Sequence, residues 1–196
     1  MYSLRRPSEE QIQSFLSQQE KAPFSYSEIG STRGTPPRGY TVDHYRIKLG
    51  HGEKVFLAAR SALKHWDMFQ ISWVKLCWPH KAPQEGVAFA VLVRCLNLWV
   101  LNASRIVYVI EEKGAVEKFG FAYGTLPAHV EKGEERFSVE RHLSDDSVWY
   151  DIFALSRPHQ LLSHLGYPLV RFLQSQFGHQ SLQAMARAVA SPRSPG

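Results

Sequence analysis

Residues 104–125 read SRIVYVIEEKGAVEKFGFAYGT, and the fold turns on how this stretch is read. Both halves, Ser104 to Glu111 and Lys118 to Thr125, are rich in β-branched and aromatic residues, and a charged link containing glycine joins them. That combination predicts two strands with a tight connection. The same pattern recurs outward on both sides. It appears at Trp73 to Trp78, Gly86 to Leu92 and Asn97 to Asn102 before the stretch, and at Glu134 to Leu143 and Val148 to Ser156 after it. Successive short strands with short links imply an antiparallel meander.

Helical spacing brackets the meander. Residues 30–39 are rich in turn formers and lead into Tyr40 to Leu49, an alternating stretch predicted as the first strand. Gly50-His51-Gly52 then precedes Val55, Ala58, Ala59, Leu63, Trp66 and Phe69, which predict an amphipathic helix over 55–69. From Pro158 to about Ala190 the apolar residues Leu161, Leu162, Leu165, Leu169, Phe172, Leu173, Phe177, Met185 and Val189 again recur at helical spacing. Pro168 is expected to kink or split that helix, because a proline in a helix interior lacks the backbone donor and clashes with the preceding turn. A short helix is predicted between Pro7 and Pro23, with Glu9 and Glu10 in its first turn and Ile12, Phe15 and Leu16 on one side.

These elements imply an α+β fold in which a curved antiparallel sheet wraps around a long C-terminal helix. The 196 residues are read as a single domain, 1–196, with an N-terminal helical extension at 1–23, a core at 24–190 and a frayed tail at 191–196. A gap between a curled sheet and its helix is a natural pocket. With five Trp, eight Tyr and eleven Phe, the chain has the large rings that fill wide cores or line cavities.

Composition narrows the function classes. The net charge of +5 is spread among acids, and Arg5-Arg6 is the only close basic pair, so no stripe follows a phosphate backbone and nucleic acid is not an expected partner. The two cysteines, Cys77 and Cys95, sit in no metal-ligand or disulfide spacing and are read as buried thiols. Nine scattered histidines give no metal motif, no phosphate loop or nucleophile elbow occurs, and neither a metal nor a cofactor is expected. The polar N-terminus lacks a signal-peptide core, and Val87 to Val93 is too short for a transmembrane segment, so a cytoplasmic location is expected. The sequence sets no oligomeric state.

One further pattern concerns kinship. Phe119-Gly-Phe-Ala-Tyr-Gly-Thr-Leu-Pro127, His129 and Gly133-Glu-Glu-Arg-Phe137 resemble a family of bacterial and plant proteins built on a domain of unknown function. Pro37-Arg-Gly-Tyr40, Leu49-Gly-His-Gly52, Trp66-Asp-Met-Phe69, Arg105-Ile-Val-Tyr108, Val148-Trp-Tyr-Asp-Ile152 and Ser156-Arg-Pro158 agree, so the resemblance spans roughly residues 24–188. That family is similar to the START-like, or SRPBCC helix-grip, superfamily. The resemblance implies a cavity for hydrophobic or amphipathic molecules and names no reaction, since one fold hosts many functions.

The densest polar cluster holds Tyr123, Thr125, His129, Glu134, Glu135 and Arg136. Strand alternation puts Thr125 on the face of Phe119, Phe121 and Tyr123, and Glu135 on the face of Phe137 and Val139. An acid on an apolar, cavity-lining face has a raised pKa and suits acid/base work, which makes Glu135 a catalytic candidate; His129, near the carboxylate pair and of a residue type that titrates near neutrality, is the other. The competing reading pairs Glu134 or Glu135 with Arg136, Arg105 or Arg157, or has it cap the turn, in a purely structural role. Arg157, at the corner between last strand and helix, is expected either to hold a ligand's anionic group at the pocket mouth or to bridge to Glu134, Glu135 or Asp151. The expected function is binding of a small hydrophobic ligand, with Tyr123, Thr125, Glu134, Glu135, Arg136 and Arg157 as ligand-binding residues. The alternatives are a cyclase, isomerase or hydrolase in the same cavity, or an interaction module whose core is filled.

Overall fold

A computed structural model describes residues 1–77, 82–159 and 167–191. Trp78, Leu161, Leu162, Leu165 and the tail beyond Ser191 lie outside the described residues. The elements are β1 (Tyr2–Ser3), α1 (Glu9–Gln19), β2 (Thr41–His51), α2 (Glu53–Lys64), β3 (Val74–Cys77), β4 (Ala88–Cys95), β5 (Leu98–Glu112), β6 (Val116–Thr125), β7 (Glu131–His142), β8 (Ser147–Pro158) and α3 (Tyr167–Ala190). Among the described residues eight strands form one sheet in the order β2-β8-β7-β6-β5-β4-β3, with β1 on β5. Every pairing is antiparallel. The meander from β3 to β8 ends beside β2, so α2 carries the chain from one edge of the sheet to the other.

Both faces of the sheet are covered, each by a separate core. On the concave face, Phe89, Ile106, Phe119, Phe121, Tyr123, Phe137, Val139, Tyr150 and Ile152 meet α2 and α3 through Phe56, Leu63, Met185 and Phe177. On the convex face, Ile12, Phe15 and Leu16 of α1 pack on Ala90, Leu92, Leu101 and Ala103. The N-terminal helix starts at a capping box, in which Ser8 and Gln11 satisfy each other's backbone N–H. At its other end the Arg105 guanidinium donates to the carbonyls of Gln19, Glu20 and Ala22, the groups a helix C-terminus leaves open.

Three expectations about elements change. The helix predicted over 55–69 runs instead from Glu53 to Lys64 and gives way to a 3-10 turn at Asp67–Phe69. Between them Trp66 takes a left-handed backbone, φ 61°, an uncommon state for a bulky residue. Its indole is 4% exposed and packs 4.9 Å from both Phe89 and Phe121, so core packing holds the backbone there. The strands predicted at 97–102 and 104–111 form one long strand, β5, because Ala103 supplies no turn chemistry. A register shift between Ile106 and Tyr108 bends it instead. Pro168 stands in the first turn of α3, where the missing N–H costs no helical bond.

Glycine allows one close approach that shapes the interior. A Cβ at Gly178 of α3 would lie 2.5 Å from the Tyr45 ring, so only glycine lets α3 settle this near β2. Among the described residues no helix is long and apolar enough to cross a membrane.

Candidate functional site

Strand parity sorts the polar residues of β6, β7 and β8 onto opposite faces. Tyr123 pairs with Glu135 and Glu135 with Ala154, in line with the apolar pairs Phe121–Phe137 and Phe137–Ile152 on the concave side. Glu134, paired with Gly124 and Leu155, and Arg136, paired with Ala122 and Phe153, have the other parity.

A cavity of about 440 Å³ opens on the concave side, between the strands and α3. Trp73, Val74, Val91, Val93, Leu98 and Val100 form its apolar wall, and Leu169, Val170, Leu173 and Phe177 of α3 close over it. Its polar end is built from Asp43, Asn102, Ser104, Tyr123, Thr125, Glu131, Glu135, Ser156 and Gln174. Leu96, Leu98 and Leu169 line the cavity and are also exposed to solvent, so an apolar rim stands where it meets the surface.

Glu135 is the most perturbed acid of this end. Desolvation raises its pKa to about 7, the nearby Asp43 adds to the rise, and the Tyr123 hydroxyl, which donates to it, works the other way. Glu135 lines the cavity. The Tyr123 phenol is itself held well above its usual pKa by burial and by Glu135, so it remains a donor. Thr125 is tied down elsewhere: its Oγ1 lies 2.6 Å from Ser25 Oγ and accepts from Gly133 N at 3.0 Å. Ser104 Oγ, in a residue 1% exposed, has no hydrogen-bond partner.

His129 also borders the cavity, and burial pushes its imidazole down to about 3. The ring is therefore neutral at ordinary pH, and its Nδ1 accepts from the Glu131 N–H at 3.0 Å. That bond places the ring proton on Nε2. A histidine that stays neutral and is anchored this way has little proton to offer near pH 7, which separates it from the acid/base role expected of it.

Glu134 borders the cavity, yet its carboxylate is bound on the convex side, where Arg136 and Arg157 also act. The Glu134 carboxylate accepts from Tyr26 Oη at 2.7 Å, from Gly30 N at 2.7 Å, from Thr32 N at 3.0 Å and from the Thr32 hydroxyl. It thereby pins the segment between α1 and β2 against the sheet. Gly124 is part of the same lock, since a Cβ there would lie 2.2 Å from the Tyr26 hydroxyl. Arg136 donates to Thr32 O at 2.8 Å and to Asp151 at 3.2 Å. Arg157 stacks over the Tyr40 ring at 4.6 Å with Glu28 at 4.0 Å, rather than reaching Glu134, Glu135 or Asp151.

Several cavity residues escaped the sequence reading. Asp43 has the parity of Tyr45 and Ile47 in β2, a signal present in the alternation; it is held bidentately by Arg171 of α3 at 2.5 and 2.6 Å. Glu131 lies in β7, which begins three residues before the strand predicted from Glu134. It is 5% exposed, burial raises its pKa, its Oε2 accepts from Gln174 at 3.3 Å, and its Oε1 has no partner. Cys77 is buried as expected, but Cys95 is only partly so and lines the cavity; neither is in a disulfide.

The chain belongs to the family described as a domain of unknown function, DUF1990, whose model matches residues 25–184. It is 33% identical over 210 residues to a UPF0548 protein of Dictyostelium discoideum, covering 97% of each. A UPF0548 protein of Deinococcus radiodurans is 31% identical, with 96% of this chain and 98% of the relative covered. Among solved structures, a START superfamily protein from Mycobacterium smegmatis superposes with a TM-score of 0.51 at 12% identity, over 79% of this chain and 100% of that one. That likeness is one of fold: the architecture is the START-like helix grip.

Proposed function

We propose that the cavity between the sheet and α3 binds a small hydrophobic or amphipathic molecule, its apolar body against Val91, Val93, Val100 and Leu173 and its polar end toward Tyr123 and Glu135. One observation carries the reading: a space of about 440 Å³ with an apolar wall and convergent polar groups at one end. Small-molecule sites occupy roughly 300–1,000 Å³ and have that make-up. The likeness to a START superfamily protein supports the same reading at the level of fold.

The test fills the cavity. Val91→Trp, and separately Val93→Phe, are titrated with a fluorescent apolar probe beside the unaltered protein, and cooperative thermal unfolding confirms that each variant folds. Binding by the unaltered protein that drops at least about tenfold in the folded variants supports the reading. Equal binding in all three contradicts it.

A further inference from the structure

Resting on the cavity reading above, we infer that the molecule bound there presents a protonated amine, or an equivalent cationic donor, to the carboxylates of Glu131 and Glu135. The polar end is rich in acceptors and poor in cations to match them. Asp43 has its counter-charge in Arg171. Glu135 receives one donor, the Tyr123 hydroxyl, and among the described residues it is in no ion pair. Glu131 is more acutely short of donors: it is more than nine-tenths buried, Gln174 donates to Oε2, the Ser156 hydroxyl and the Arg171 charge only partly favour its ionised form, and Oε1 has no hydrogen-bond partner. Ser104 Oγ, buried on the same cavity wall without a partner, can accept a bond from the ammonium and also has a proton to give.

The other charged groups around this end do not fill the gap. His129 is neutral, the Met1 ammonium is spent on Leu101 O at 2.9 Å, and Arg171 is bound bidentately by Asp43 and acts on Glu131 only through its field. Lys132 borders the cavity but forms no ion pair with either carboxylate. A buried carboxylate short of donors is costly, and a ligand that brings charge and hydrogen-bond donors together offsets that cost. An ammonium does both. An alcohol brings one donor and no charge, while a carboxylate adds a further negative charge beside two that are incompletely matched.

Isothermal titration with octylamine, octanol and octanoate keeps the apolar body constant and changes the head group alone. At about pH 8 the amine is charged, since alkylammonium groups titrate near pH 10.4. The expected order is amine first by at least about tenfold over alcohol, with octanoate weakest. Glu131→Gln and Glu135→Gln, each verified by cooperative unfolding, are expected to reduce the amine-to-alcohol affinity ratio at least about tenfold. Octanol or octanoate binding as tightly as the amine, or a ratio unmoved by both substitutions, overturns this inference and leaves the cavity reading standing. Binding of none of the three overturns the cavity reading and this inference with it.

Discussion

Glu134 and Glu135 are neighbours in β7, yet they live in different environments. Glu134 turns to the convex face, where four donors from Tyr26, Gly30 and Thr32 saturate its carboxylate. Glu135 turns inward to one phenol and an open cavity, and burial lifts its pKa to about 7. The difference follows from the two-residue period of a strand. It teaches that the identity of an acidic pair says little, whereas the face each member occupies decides whether it locks structure or borders the cavity.

The largest effect is expected on the locked side. Glu134→Ala leaves buried donors of Tyr26 and Thr32 without an acceptor, and denaturant unfolding is expected to report a loss of about 3 kcal/mol or more. A loss below about 1 kcal/mol would mean that the convex lock is not what holds the segment preceding β2. Gly124→Ala sharpens the same point, because the new Cβ displaces the Tyr26 hydroxyl from Glu134. The expected cost is about 2 kcal/mol, and no cost would show that Tyr26 has room to move.

Glu135→Gln is expected to act in the opposite direction and more gently. The folded pKa of Glu135 is raised from 4.5 to about 7, so ionising it opposes folding. The stability it permits is fully present below about pH 4.5 and is lost as pH rises through about 7. Glutamine keeps the acceptor for Tyr123 and removes the charge. Thermal melts should therefore show the variant about 1–2 kcal/mol more stable near pH 8 and without that decline between pH 4.5 and 7. An unchanged pH profile would place Glu135 in water rather than in the cavity wall.

Much of this contrast is legible in the sequence, and the remainder has identifiable physical reasons for being hidden. Alternation groups Thr125 with Phe119, Phe121 and Tyr123, and Glu135 with Phe137 and Val139, as the register has it. The same alternation places Arg136 opposite to Glu135, so its convex position was readable once one face was known to line the cavity. Alternation cannot say which face is inward, and that assignment comes from α2 and α3. The lock on Glu134 joins residues 108 positions apart in the case of Tyr26, and no local pattern reports such a pairing. Leu63, Trp66 and Phe69 keep helical spacing past the end of α2, so the left-handed turn at Trp66 is invisible to periodicity. Glu131 precedes the strand predicted from Glu134, and the pairing of Arg171 with Asp43 joins residues 128 positions apart, so no local pattern shows either one's role.

The central claim is that the concave face encloses a small-molecule site, and native mass spectrometry of protein purified from its own host tests it most directly. The spectrum is compared with that of a denatured sample from the same preparation, and with the Val91→Trp variant prepared in parallel. The account predicts a discrete added mass that denaturation releases and that the filled variant lacks. An apo mass for the unaltered protein, or the same adduct on both proteins, would contradict it.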